Sequence, residues 1–250
     1  MQQAMRVTQT VILAADSGSR LAPTRGDVPK PLMTVAGVPL LAHALEYARR
    51  SGCDEAVTVV GYEGARVRSA IEQLHTPLRL TFVENHDYAA PNGVSLPAAE
   101  PAAAPAFFLQ MVDHLFLEPA LSLLVATSLD AGEVGRVLVD STPSADIDLD
   151  DATKVQLELG RVSAIGKGLD LWDAIDAGCF VLAHGVFDAL RAVPVEEGRT
   201  VSSGMRRLVA ARALGAVDMR GADWIDVDTP ADREIAERLL GRHQYATERP

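Results

Sequence analysis

Between Thr10 and Asp113 the chain alternates short β-branched or apolar runs with stretches of helical periodicity, and this alternation limits it to few folds. The segments are TVILAA, PLLAHALEYARRS, AVTVVGY, ARVRSAIEQL, LRLTFVE and AFFLQMVD, in that order. Alternating strand and helix imply crossover connections, so the pattern predicts an α/β protein with a mostly parallel open sheet flanked by helices. In the helix from about Leu40, Leu41, Leu45 and Ala48 share one face, and Glu46 and Arg50 pair at i,i+4 on another. The stretch PAAEPAAAPA from Pro97 permits a helical turn after Ser95 and stops by Pro105, which predicts a short surface element.

The pattern changes after residue 130. GRVLVDS, ATKVQLEL and RVSAIGK read as strands, separated by the acidic, turn-rich PSADIDLDD, and together they predict a small antiparallel piece beside the main sheet. Helices follow near Val186 to Ala192 and Ser202 to Ala211, then a strand near Ala213 to Met219. Thr229, Pro230 and Asp232 form the start signal of a last helix over about 229–242. With no internal repeat and no clear linker, one compact unit is expected, with a first part over about 8–130 and a second over about 131–228.

Composition excludes several function classes. The 34 acidic against 23 basic residues give a formal charge of -11, which argues against a nucleic-acid partner, because phosphate-backbone binding needs a basic face. The two cysteines, Cys53 and Cys179, have neither disulfide-framework nor metal-ligand spacing and read as buried small hydrophobes. The apolar run Val11 to Ala15 is too short for a signal segment, and no stretch reaches membrane-spanning length, so no membrane insertion and a cytoplasmic location are expected.

Chemistry concentrates first in VILAADSGSRLAPTRGDVPKPLMTVAGVPLLAHAL, which runs from strand through loop to helix. Ligands of open α/β sheets collect at strand carboxyl ends, where loop amides can wrap a polyphosphate. Ser17, Gly18 and Ser19 are small enough for that approach, and Arg20 and Lys30 supply cations for a triphosphate in an otherwise acidic chain.

Leu13, Ala14, Ala15, Gly18, Arg20, Pro29, Lys30 and Pro31 resemble the N-terminal signature of the sugar-phosphate nucleotidyltransferase superfamily, Leu-Ala-Ala-Gly-x-Gly-x-Arg followed by Pro-Lys-Pro. Within it the chain is most similar to inositol-1-phosphate cytidylyltransferases. NGVSLPAA, MVDHLF, ATKVQLELGRVSAIGKGL, DAIDAGCFVL and WIDVDTPAD resemble that family's blocks and follow in its order over nearly the whole chain.

The resemblance implies a Rossmann-like fold and a Mg²⁺-dependent transfer of CMP from CTP to a small phosphorylated alcohol. It implies nucleotide contacts from Leu13, Ala14, Ala15, Asp16, Ser17, Gly18, Ser19, Asn92, Gly93 and Ser95. Asp113 and Asp226 would hold the metal, which prefers a few carboxylates with phosphate oxygens. Arg20 and Lys30 would stabilise the triphosphate, and Lys154, Lys167 or both would reach the acceptor's phosphate. Asp176 would accept hydrogen bonds from acceptor hydroxyls, or else is a strand-end turn. Asp228, just before a helix, reads as a cap residue, and the isolated His114 as structural.

Two departures stand out. The signature's first glycine is Asp16, which places a charge beside a tetra-anionic donor, with Arg25 near enough in sequence to offset it. An Asp-Thr-Gly of the acceptor block is Asp176-Ala177-Gly178, which removes one hydroxyl. Other readings therefore stay open: a phosphonate or phosphocholine-like acceptor, a sugar-phosphate enzyme using UTP or dTTP, or a nucleotide-binding protein without turnover.

Overall fold

A computed structural model describes residues 7–16, 28–88, 95–117, 120–125, 129–194, 197–198 and 200–247. Its strands are β1 (Gln9–Ala14), β2 (Thr34–Val35), β3 (Val38–Pro39), β4 (Glu55–Val60), β5 (Arg79–Glu84), β6 (Ala106–Met111), β7 (His114–Phe116), β8 (Gly135–Asp140), β9 (Lys154–Glu158), β10 (Arg161–Gly166), β11 (Ala174–Ala183), β12 (Leu214–Asp218) and β13 (Trp224–Asp226). The helices are α1 (Leu40–Arg50), α2 (Gly64–Glu72), α3 (Ser95–Ala98), α4 (Ala120–Val125), α5 (Gly185–Arg191), α6 (Val201–Ala210) and α7 (Pro230–Thr247).

Nine strands form one sheet in the order β5-β4-β1-β6-β11-β8-β12-β10-β9. The half containing β5, β4, β1 and β6 is parallel, as the alternation of strand and helix predicts. Residues along β1 feed both faces: Ile12 and Ala14 join a core with α1, α2 and α7, while Val11 and Leu13 join a second core with α3, α5 and α6. Burial on both faces explains why these strands are continuously apolar.

The antiparallel strands differ from the expectation in one respect. They extend the main sheet and do not stand beside it, because the ten-residue β11 pairs with β6 along one edge and with β8 along the other. The start of β11 also pairs with β9, so β11, β8, β12, β10 and β9 make a closed circuit of pairings. The Pro-rich stretch is likewise less superficial than expected: α3 and the single helical turn Glu100–Ala102 bring Leu96 and Ala99 to full burial. On α1, Glu46 pairs with Arg49 and not with Arg50, because at i,i+3 the guanidinium reaches both carboxylate oxygens at 2.7 Å.

At the last helix the expected start signal forms. The Thr229 amide donates to Asp232 Oδ2 at 2.7 Å, and the Asp232 amide donates to Thr229 Oγ1 at 3.3 Å, so Thr229 and Asp232 cap the helix reciprocally.

Candidate active site

The carboxyl ends of the parallel strands open onto a cavity of about 500 Å³, a size that suits a small-molecule site. Asp16, just beyond β1, lines it, and Leu13, Ala14 and Ala15 are buried behind. After β6 the chain turns through Val112 and Asp113 into β7, which pairs antiparallel with β13 in the register Asp226↔His114. The Val227 amide donates to the Asp113 carbonyl at 3.0 Å. This small ribbon joins two carboxylates that are far apart in the sequence.

Lys30 enters the same place from the helical turn Lys30–Leu32, held between Pro29 and Pro31, and its side chain is only 2% exposed. Its ammonium donates to Asp113 Oδ2 at 2.5 Å and to Asp228 Oδ1 at 2.6 Å. Burial would lower the lysine's pKa, but the charges of Asp113, Asp226 and Asp228 outweigh it and keep the ammonium charged. Burial would likewise raise Asp113, yet Lys30 and the hydrogen bond from His114 hold it well below the usual carboxylate range.

His114 Nδ1 lies 2.9 Å from Asp113 Oδ1 and 3.9 Å from Asp226 Oδ1. Burial opposes its charge, but the Asp226 charge and the Asp113 hydrogen bond push its pKa up to about 9. Asp226 is raised to about 7, first by burial and then by its neighbours Asp113 and Asp228, against the opposing His114 charge. Its Oδ1 is buried and lacks a hydrogen-bond partner. Donor atoms of Asp113, His114 and Asp226 all lie within 4.8 Å of one another. An orphaned carboxylate oxygen beside a second carboxylate fits a hard divalent cation, whereas the histidine nitrogen is already committed to Asp113.

Asp176 pairs with Val139 of β8 at the edge of an irregularity in β11 that lies between Asp176 and Phe180, and it accepts from the Gly178 amide at 2.8 Å. Burial raises its pKa to about 6, against the opposing Gly178 hydrogen bond and His114 charge. Gly178 has φ +73°, and a Cβ there would sit 2.4 Å from the His114 ring. The glycine is therefore what lets the histidine lie where it does.

The other expected site residues divide. Lys167 lines the cavity and pairs with Asp151, while Lys154 lies one step away, its ammonium donating to the Lys167 carbonyl at 3.1 Å. Ser95 is buried, and its hydroxyl accepts from Asn85 Nδ2 at 2.9 Å. Ser17, Gly18, Ser19, Arg20, Arg25, Asn92 and Gly93 lie outside the described residues. Two members of the cluster were not expected from the sequence. Asp228 is an ion-pair partner of Lys30, where a helix cap was expected. His114, expected to be an isolated structural residue, is built into the carboxylate cluster itself.

An α/β sheet whose parallel half ends in a cavity of about 500 Å³, lined by paired carboxylates with a buried lysine bonded to one of them, is the architecture of a nucleotidyltransferase. The chain belongs to the MobA-like NTP transferase domain family, which it matches over residues 10–211.

Over 232 residues it is 35% identical to a bifunctional IPC transferase and DIPP synthase of Rubrobacter xylanophilus, covering 92% of this chain and 51% of that protein. A CMP-5'-(3-aminopropyl)phosphonate synthase of Streptomyces rubellomurinus is 29% identical, over 92% of this chain and 38% of that protein. The chain spans about half the length, or less, of these curated relatives. Among solved structures, the inositol-1-phosphate CTP transferase from T. maritima matches with a TM-score of 0.84 at 26% identity, over 98% of both chains. Among the described residues no helix is long and apolar enough to cross a membrane.

Proposed function

We propose that the chain transfers CMP from CTP to a small phosphorylated alcohol, with inositol 1-phosphate the first candidate, and releases pyrophosphate. The observation that carries this reading is the meeting of Asp113 and the orphaned Asp226 oxygen at the floor of the strand-end cavity. The inositol-1-phosphate CTP transferase matched over nearly all of both chains supports the choice of donor and acceptor.

In the reaction an oxygen of the acceptor's phosphate attacks the α-phosphorus of CTP, and the bond to the β-phosphate oxygen breaks. The attacking phosphate is already ionised, so no general base is required, and catalysis rests on positioning and charge neutralisation. Mg²⁺ held by Asp113 and Asp226 would supply neutralisation at the α-phosphate. Lys30 gives two of its three donors to Asp113 and Asp228, which leaves one for a phosphate oxygen. In this reading Arg20 and the small residues Ser17 to Ser19 serve the triphosphate, and Asn92 and Gly93 the nucleoside. Lys167, which lines the cavity, meets the acceptor's phosphate, with Lys154 supporting its backbone. Asp176 accepts from acceptor hydroxyls.

A second reading keeps the reaction and changes the acceptor to an aminoalkyl phosphonate. It is favoured by the carboxylates of Asp146 and Asp148 in the cavity wall, which suit an ammonium group. The deciding experiment measures pyrophosphate release with Mg²⁺ while crossing CTP, UTP, dTTP and GTP with inositol 1-phosphate, 3-aminopropylphosphonate and glucose 1-phosphate. CTP with inositol 1-phosphate is expected to lead, and Asp113→Ala and Asp226→Ala each to lower its rate on the order of 100-fold or more. No release with any pair from folded protein overturns the enzyme reading in favour of a nucleotide-binding protein.

A further inference from the structure

Asp140 ends β8, is 1% exposed and is not among the residues lining the cavity. Its two oxygens are used differently. Oδ1 accepts from the backbone amides of Thr142 and Gly221, each at 3.0 Å. Oδ2 accepts from the Trp224 indole Nε1 at 3.0 Å. Burying a carboxylate away from any substrate carries a desolvation cost. A neutral amide oxygen could also accept from the two backbone amides, though more weakly. What the carboxylate adds is a second acceptor, and that acceptor holds Trp224.

Trp224 leads directly to the site. Its ring stacks on His114 with centroids 5.7 Å apart and planes at 16°, and on Phe116 at 6.0 Å and 15°. Phe116 stacks in turn on Tyr47 of α1 at 4.9 Å. The His114 ring, packed against Gly178, presents Nδ1 to Asp113 Oδ1 and so leaves Oδ2 of the same carboxylate to Lys30. A rotation of the indole would carry the imidazole with it and change which way the Asp113 carboxylate faces.

We propose that Asp140 is a positioning residue: through the Trp224 indole it orients His114 and thereby sets the Asp113 carboxylate for a divalent cation. The inference rests on the metal-dependent reading above and deepens it. Asp140→Asn is a selective test, because the amide oxygen can keep Thr142 and Gly221 while its NH₂ confronts the indole N–H, donor against donor.

The test reads Mn²⁺ binding to the whole chain in the presence of CTP, from the electron paramagnetic resonance of free Mn²⁺, in wild type, Asp140→Asn, Trp224→Phe and the double variant. Folding is checked by circular dichroism at the same temperature. Asp140→Asn is expected to weaken Mn²⁺ binding about tenfold, the size usual for partners behind a metal ligand. Trp224→Phe should weaken it comparably, and the double variant should be no weaker than Trp224→Phe alone, because the opposed donors are gone. A purely structural Asp140 would lower the melting temperature and leave the Mn²⁺ affinity within twofold of wild type, which overturns the proposal. So does full additivity of the two substitutions. If Asp140→Asn does not fold, unchanged Mn²⁺ affinity in Trp224→Phe overturns it. Absence of Mn²⁺ binding by wild type overturns the metal reading, and this inference falls with it.

Discussion

The Lys30 ammonium lies 2.5 Å from Asp113 and 2.6 Å from Asp228, so one buried cation ties the turn after β6 to the residue leading into the last helix. Removing one member of such a group leaves uncompensated buried charge, at a cost of about 3 to 5 kcal/mol. Lys30→Met is therefore expected to lower stability in urea by about that amount, and adding Asp228→Asn to recover part of the loss. Equal stability of Lys30→Met and wild type would show that the carboxylates are already neutralised by something else.

Gly178 controls the neighbouring histidine by having no side chain. At φ +73° an alanine is strained by about 1 to 3 kcal/mol, and its Cβ would also meet the His114 ring at 2.4 Å. Gly178→Ala is expected to lower the melting temperature and to reduce kcat on the order of tenfold as the imidazole is displaced. Gly37, with φ +78° and no atom within 4 Å, supplies the control, since alanine there carries the backbone strain without the collision. Equal loss of kcat in both variants would remove His114 from the explanation.

These contacts mark where the sequence stops being informative. Lys30, Asp113 and Asp226 were singled out mainly by their resemblance to family motifs, with flanking prolines for Lys30 and an apolar strand before Asp113 as local support, and the fold brings the three together. Asp228 was not, since an acid before Thr-Pro reads equally well as a helix cap, and here the capping role falls to Thr229 and Asp232. His114 gains its place only through the pairing of β7 with β13, which no local pattern encodes. For Lys154 and Lys167 the obstacle is register. The irregularity in β10 between Val162 and Ala164 changes which face Lys167 and its neighbours take, and with it their register against Lys154 on β9. The parallel half of the sheet was readable throughout, because its strands and helices alternate with distinct periods.

Asp176 gives the fold a pH signature. Its carboxyl is raised from 3.8 to about 6 in the folded protein, chiefly by burial. Between those values the native state binds more protons than the unfolded chain, so this group stabilises the fold as pH falls through that window. Asp176→Asn lacks the contribution. Relative to that variant, wild type should gain about 2 kcal/mol or less between pH 7 and pH 4, allowing for the partial exposure of the side chain. Urea unfolding of both proteins across that range checks it, and parallel stability curves would place the Asp176 carboxyl in an ordinary solvated setting.

Asp16 is exposed at the end of β1 and shares the cavity with Asp113, Asp226 and Asp228. Where the related signature carries glycine, it adds a carboxylate to a site proposed to receive a tetra-anionic donor. Two like charges about 4 Å apart repel by about 1 kcal/mol in bulk water and by about 4 kcal/mol at an effective dielectric near 20. The exposure of Asp16 argues for the lower value. Asp16→Gly is therefore expected to tighten CTP binding about fivefold, since about 1.4 kcal/mol corresponds to tenfold. Calorimetric titration of CTP into both proteins at several Mg²⁺ concentrations separates repulsion from the alternative, in which Asp16 helps hold a second cation on the β- and γ-phosphates. Repulsion predicts tighter binding by the variant at every Mg²⁺ level. Weaker binding by the variant that excess Mg²⁺ partly restores would make Asp16 a metal-binding residue and the lost glycine an adaptation of the phosphate loop.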